Sequence, residues 1–213
     1  MVAFQEVSDY WHGVLAEEPF RSALPHRLAW PPASQVQGDA FSLVLASRLP
    51  LEAERVHPQD NGSPFLEAVV RVGGERVHLV AAHPPRPGRA WRMRSRNRQL
   101  GGLMEVVDWG PSSVLLGDLN MNGRSPSFTR LLEATGLRDS RRGFGRQPTW
   151  RTGPAILLPG PLRGWTPRLW TTLDHILVGP SIGVVDRWVG PDVGSDHWPV
   201  LATLRVRFSG MGE

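Results

Sequence analysis

Hydrophobic positions along this chain fall into short runs separated by glycine, proline and polar clusters. β-rich runs recur at 1–5 (MVAFQ), 40–47 (AFSLVLAS), 65–72 (FLEAVVRV), 76–82 (RVHLVAA), 113–116 (SVLL), 173–178 (LDHILV), 184–189 (VVDRWV) and 200–206 (VLATLRV), and these lengths and boundaries predict strands. Two segments carry helical periodicity. From about Ala90 to Val107 the residues Met93, Leu100, Leu103, Met104 and Val107 form an apolar stripe, opposite an arginine-rich face. A second helix starts at Ser125, a good N-cap, with Pro126 at the first helical position, continues through Phe128, Leu131 and Leu132, and stops at Gly136. The stretch Ser8–Trp30 reads as a short helix interrupted by Pro19 and Pro25, and Gly143–Trp170 as proline-rich and irregular. Many strands with a few helices imply an α/β chain in which helices cover apolar sheet faces.

At 213 residues, with no internal repeat and no low-complexity divider, the pattern predicts one domain over 1–208 and a short tail at 209–213. Every apolar run is far shorter than the roughly 20 residues of a membrane-spanning helix. Cysteine is absent, which excludes disulfides, thiolate metal sites and a cysteine nucleophile, and leaves the compartment unread. The pI near 11.0 accompanies a formal net charge of only +4, and every Lys+Arg residue is arginine. Arginine in place of lysine, with 20 prolines and 23 glycines, is what a GC-rich coding bias produces, so the basic balance says little about a polyanionic partner.

The candidate chemistry sits where the predicted strands end. Glu6 follows one strand and His83 another, the latter running into Pro84 and Pro85. Asp118 and Asn120 follow the 113–116 strand through Gly117. Asp174 and His175 open the 173–178 strand, and Asp196 and His197 directly precede 200–206. Each has an ordinary structural explanation: an Asx turn for Asp118, a polyproline exit for His83, a surface acid for Glu6. Their recurrence at successive strand ends points instead to one shared site. Oxygen donors without cysteine suit a hard cation such as Mg²⁺ or Mn²⁺, and the zinc spacings HExxH and paired Cys/His are missing.

In order along the chain, Gln5-Glu6, FSLVLASRLPL, AAHPP around His83, LLGDLN around Asp118 and Asn120, LDHIL at Asp174 and GSDHWPV at Asp196 and His197 resemble the endonuclease/exonuclease/phosphatase superfamily, which includes DNase I-like nucleases and abasic-site endonucleases. The resemblance runs from Met1 to about Val206. It implies a DNase I-like four-layer sandwich of two packed mixed β-sheets flanked by helices, and an Mg²⁺-dependent (or Mn²⁺-dependent) hydrolase acting on phosphoesters. It also implies roles. Glu6 would bind the metal and Asp196 assist there. Asp118 and Asn120 would orient and activate the attacking water, with Asp118 the preferred base and His197 the alternative. His197 would sit against the scissile phosphate, held by Asp174, and His83 would bind phosphate or protonate the leaving oxygen. His-Pro-Pro followed by the arginine-rich RNRQL resembles a bacterial subgroup, some of whose members carry membrane spans upstream.

One family feature is unmatched: a first strand ending in Trp-Asn. The asparagines Asn61, Asn97, Asn120 and Asn122 all follow Glu6, so the expectation is that a core strand lies upstream of a Met1 that is internal or misassigned. Location is left open for the same reason. The expected partner is a phosphoester, with nucleic acid favoured; Arg92, Arg94, Arg96, Arg98, Arg141, Arg142, Arg146 and Arg151 are candidate phosphate contacts, and Trp165 and Trp170 candidate stacking groups. No protein partner is evident. A phosphomonoesterase or lipid-headgroup phosphodiesterase is the alternative within the same chemistry, and an inactive fragment acting as a binding protein is the alternative outside it.

Overall fold

The computed structural model describes residues 1–32, 42–59, 63–152 and 169–207. In chain order the elements are β1 (Val2–Gln5), α1 (Asp9–Ala16), α2 (Phe20–Ala23), β2 (His26–Trp30), β3 (Leu43–Ser47), β4 (Glu52–His57), β5 (Phe65–Val72), β6 (Glu75–Ala82), α3 (Ala90–Val106), β7 (Ser113–Asp118), α4 (Pro126–Thr135), β8 (Arg138–Asp139), β9 (Trp150–Thr152), β10 (Leu169–Thr171), β11 (Asp174–Val178), β12 (Ile182–Val189) and β13 (Val200–Val206). Trp165, Asn61, the first two positions of the expected 40–47 strand and the 209–213 tail lie outside the described residues.

Side-chain parity explains the layering. Successive strand residues point to opposite faces, and β5 and β6 carry apolar residues on both faces, which requires a cover on both sides. Even-numbered β5 residues Leu66, Ala68 and Val70 and odd-numbered β6 residues Val77, Leu79 and Ala81 pack with Leu43 and Leu45 of β3 and with Ile182, Val184, Leu204 and Val206 of the β12–β13 pair. Phe65, Val80, Ala82, Leu115 and Leu177 point the other way, onto Leu100, Leu103, Phe128 and Leu131 of α3 and α4. The same rule sends Val44 and Ala46 of β3 outward to Leu15 and Phe20 of α1 and α2. Helices, sheet, sheet, helices follow in turn: the fold is the four-layer α/β sandwich that the sequence resemblance implies.

The central sheet has the order β4-β5-β6-β7-β11-β8, the facing sheet β1-β3-β2, with β12-β13 and β9-β10 as two-stranded units. All neighbours run antiparallel except β6 and β7, which are parallel and joined by the α3 crossover. Where they meet, Gly117 has φ 144° and a Cβ there would collide with the Ala82 carbonyl oxygen, so only glycine lets the two strand ends approach this closely.

Two readings of α3 and α4 fare differently. The caps of α4 are as expected: Ser125 Oγ accepts from the Phe128 N–H at 3.3 Å, and Gly136 closes the helix at φ 67°. The stripe on α3 needs correction, because Met93 is exposed while Ser95, Arg96 and Gln99 are buried beside Leu100 and Leu103. Gln99 explains this register: its amide donates to the carbonyls of Ser63 (2.5 Å) and Pro64 (3.4 Å), tying the helix to the entrance of β5. Burial of Arg96 also removes it from any exposed arginine face. Strand β4, with its charged EAER segment, lies at a sheet edge, where charge protects an unpaired ladder. Among the described residues no helix is long and apolar enough to cross a membrane.

Candidate active site

Antiparallel pairing places the end of β7 beside the start of β11, with Asp118 directly opposite Asp174. The parallel β6 ends at the same edge with His83 following it, and in the facing sheet β1 ends at Gln5 while His197 precedes β13. The fold therefore brings all seven sequence-predicted residues, Glu6, His83, Asp118, Asn120, Asp174, Asp196 and His197, to one edge of the sandwich, with contributions from both sheets.

The firmest contact is between His197 Nδ1 and Asp174 Oδ2, 2.8 Å, and the same carboxylate oxygen accepts a hydrogen bond from Thr149 Oγ1. This fixes the tautomer: Nδ1 carries hydrogen toward Asp174, and Nε2 faces the centre of the site, buried and without a hydrogen bond. Burial opposes the charged imidazolium, but the Asp174 bond and the charges of Asp174, Asp118 and Asp196 outweigh it, and the pKa of His197 is raised.

Around His197 Nε2 the other groups stand at separations just beyond hydrogen-bond length. Asp118 Oδ2 is 3.8 Å from it and 3.7 Å from His83 Nε2, and His83 Nε2 is 3.8 Å from Glu6 Oε1. Such spacings suit polar atoms that share a third atom between them. Asp118 is buried, and burial together with the nearby Asp174 charge pushes its pKa up to about 7. Burial, followed by the charges of Arg86 and His197, brings His83 down to about 4, so this imidazole is neutral at pH 7.

Asn120 is held at φ 48° with its backbone N–H on Asp118 Oδ1 (2.8 Å) and its side-chain amide donating to the Pro84 carbonyl (2.9 Å), which joins the loops after β6 and β7. Glu6 also has a left-handed backbone, φ 54°. For a non-glycine residue this conformation costs energy and recurs at functional sites. Glu6 and Asp196 are the exposed acids of the group, with side chains 46% and 62% accessible.

The histidine next to Asp174, which has no expected role, stays out of the site. His175 points to the opposite face of β11, where it is buried, bonded to the Met121 carbonyl (2.8 Å) and packed on Phe128. Conversely, Arg86, Thr149 and Trp150 were not singled out by sequence reasoning. Trp150 donates from Nε1 to Asp196 Oδ2 (3.3 Å) and its ring lies 6.2 Å from that of His197. A hint for Arg86 was its place in the HPPRP run; nothing in the local sequence marks Thr149 as the partner of Asp174.

The sequence that folds into this edge matches a known family. The family model described as Endonuclease/Exonuclease/phosphatase family matches residues 1–197. The chain belongs to the endonuclease/exonuclease/phosphatase family. Members of this family hydrolyse phosphoester bonds and generally use divalent metal ions. Solved structures share the fold. An endonuclease/exonuclease/phosphatase from Beutenbergia cavernae is 24% identical with a TM-score of 0.67, covering 92% of this chain; the chain spans 57% of that protein's length. D. rerio TDP2 complexed with a single-strand DNA product is 17% identical with a TM-score of 0.69, over 96% of this chain and 85% of that one. Sphingomyelinase C from Streptomyces griseocarneus is 17% identical with a TM-score of 0.59, over 94% and 85% respectively. No curated protein matches the sequence.

One group among the described residues has donors spaced to hold a divalent cation. Ligand atoms of Asp118, Asp174 and His197 lie within 4.8 Å of one another. Glu6 and Asp196 offer exposed carboxylate oxygens, which suit a cation that keeps part of its water shell.

Proposed function

We propose that the chain is a metal-dependent phosphodiesterase that hydrolyses phosphoester bonds with water, nucleic acid being its favoured substrate, and that Glu6 and Asp196 hold Mg²⁺ or Mn²⁺. The observation that carries this reading is the His197–Asp174 pair aimed at Asp118 across a space bounded by His83 and Glu6. When bound, the cation supplies Lewis-acid stabilisation of charge on the phosphate oxygens.

The protein's own groups divide the remaining work. His197, whose charged form Asp174 favours, presents Nε2 to a non-bridging phosphate oxygen and stabilises the negative charge that builds there. Asp118, with its affinity for protons raised toward neutrality, accepts the proton of the attacking water, which Asn120 helps to orient. His83, neutral at pH 7, serves as a hydrogen-bond donor to a phosphate or leaving oxygen rather than as a charged acid. Nucleic acid is favoured over other phosphoesters by the exposed Arg92, Arg94 and Arg98 on α3 and Arg142 and Arg146 in the loop before β9, and by the fold likeness to a protein complexed with DNA product.

The test is hydrolysis of single-stranded DNA, abasic duplex, inositol phosphates and sphingomyelin in Mg²⁺, comparing the wild type with Asp118→Ala and His197→Ala. Turnover of a DNA substrate that falls roughly 100-fold or more in each variant is expected. Near-normal rates in both variants would sink the site assignment. Preference for sphingomyelin would transfer the assignment to a lipid-headgroup phosphodiesterase, and no turnover of any substrate would favour a binding protein.

A further inference from the structure

The loop leaving β6 reads His83-Pro84-Pro85-Arg86-Pro87, and prolines on both sides of Arg86 restrict the backbone that carries it. The Pro84 carbonyl is in turn held by the Asn120 amide. From this constrained loop Arg86 reaches toward the end of β1 in the facing sheet and the loop before β13. Its guanidinium nitrogen lies 3.9 Å from Glu6 Oε1 and 3.7 Å from Asp196 Oδ2, with the arginine half-exposed. Those two acids precede and follow nearly the whole chain, and one arginine from the other sheet is near both.

These contacts are longer than two of the surface ion pairs elsewhere and resemble a third, Arg76 with Glu52 at 3.8 Å. Arg21 with Glu18 and Arg71 with Glu52 each close to 3.0 Å, at hydrogen-bond length. Arg86 is held by charge at a distance from two acids, with neither contact short enough to be a hydrogen bond. A positive group held this loosely can be replaced by another cation at little cost, because exposed pairs contribute only about 0.2–1 kcal/mol each. Its planar, multi-donor fork is also the side chain best matched to phosphate oxygens.

We propose that Arg86 is an exchangeable counter-ion and a substrate-binding residue: it shares Glu6 and Asp196 with the divalent cation, and turns its guanidinium to a non-bridging phosphate oxygen when those carboxylates are neutralised by that cation. This rests on the reading that Glu6 and Asp196 form the metal site. The exchange couples metal loading to phosphate capture, since the arginine cannot hold the carboxylates and the phosphate equally at once.

The experiment measures free Mn²⁺ by electron paramagnetic resonance during titration of the full chain, and inorganic phosphate binding to the Mn²⁺-loaded protein by calorimetry. The proteins are the wild type, Arg86→Met, Arg86→Lys, Arg89→Met and Glu6→Gln. Arg86→Met should bind Mn²⁺ about two- to fivefold more tightly, the loss of one or two exposed ion pairs converted to affinity, while its phosphate affinity falls by about fivefold or more. Arg86→Lys should keep wild-type Mn²⁺ affinity and recover only part of the phosphate binding. Arg89→Met removes the same charge nearby without touching either acid, and should leave both affinities close to wild type. The inference is overturned if Arg86→Met binds Mn²⁺ no more tightly than wild type, if its phosphate affinity is unchanged, or if Arg89→Met shows the same changes. Glu6→Gln separates the two levels. Loss of Mn²⁺ binding there, with Arg86→Met indistinguishable from wild type, leaves the metal site standing and removes the role of Arg86. Undiminished Mn²⁺ binding by Glu6→Gln removes the metal site and the Arg86 inference together.

Discussion

Asp174 never has to touch substrate to matter, because the state of His197 depends on it. The 2.8 Å bond sets the tautomer, aims Nε2 at the centre of the site and raises the imidazole pKa against the opposing effect of burial. Asp174→Asn should therefore lower kcat by roughly 100-fold or more with a smaller change in KM, and should lower the His197 pKa as followed by NMR titration of its ring protons. A kcat loss with an unmoved His197 titration would mean that Asp174 acts by some other route. At this scale the sequence was informative about residue type and uninformative about direction. Asp174 and His175 are neighbours with equal claims on paper, yet pleating sends one to the site and the other beneath Met121. Arg86 and Thr149 were invisible because their significance comes entirely from partners that only folding brings near.

At the level of elements, the strand ends meet because glycine lets them. Gly117→Ala would place a Cβ against the Ala82 carbonyl oxygen on a backbone that side chains rarely adopt; it should destabilise by about 2 kcal/mol or more in denaturant unfolding and lower activity in the fraction that still folds. Glu67 is a second pivot, away from the site: on β5 it receives His57 Nε2 of β4 at 2.6 Å and His78 Nε2 of β6 at 2.8 Å. Burial works against its ionised form, but the bonds and charges of the two histidines prevail and its pKa is lowered. A depressed carboxylate contributes stability that is present above its unfolded pKa and disappears as pH falls through the folded one. Glu67→Gln should accordingly cost about 1.5–3 kcal/mol at pH 7, with the gap to wild type narrowing below about pH 4.5. Strands β5 and β13 were read from the sequence with the bounds they have in the fold, because burial leaves a hydrophobic trace. The edge strands β2 and β4 were not, since an edge tolerates or prefers charge. The α3 stripe was misplaced by Met93 because Gln99, a polar residue, supplies the anchoring contact.

For the whole molecule, histidines whose charged form burial opposes contribute to its response to acid. His175 is pulled down chiefly by burial, and His83 is brought to about 4 by burial and then by Arg86 and His197. Their folded pKa values lie below the unfolded value near 6.5, so the folded state resists protons that the unfolded chain accepts. Their share of the stability should be lost as pH drops from about 6.5 toward 4, against an opposite contribution from Asp118, whose pKa is raised to about 7, and His175→Phe should make the urea midpoint fall less, or rise more, over that range. An unchanged slope in this variant would assign the acid sensitivity to other groups. The four-layer order was legible only through resemblance; parity alone could say that β5 and β6 are covered on both faces, without saying by what.

The two sheets meet across a core of Leu43, Leu45, Leu66 and Leu79, and the chemistry is divided: His83, Asp118 and Asp174 lie at strand ends of the central sheet, Glu6 at the end of β1 in the facing sheet, and Asp196 and His197 just before β13 of the two-stranded unit. The site thus works as a vernier, reading any slip of one sheet past its neighbour as a misfit among atoms 3.7–3.9 Å apart. Leu79→Ala, remote from every reacting group, should therefore blunt turnover at temperatures where the chain is still folded, and the interior packing between the sheets becomes a determinant of catalytic alignment as much as of stability.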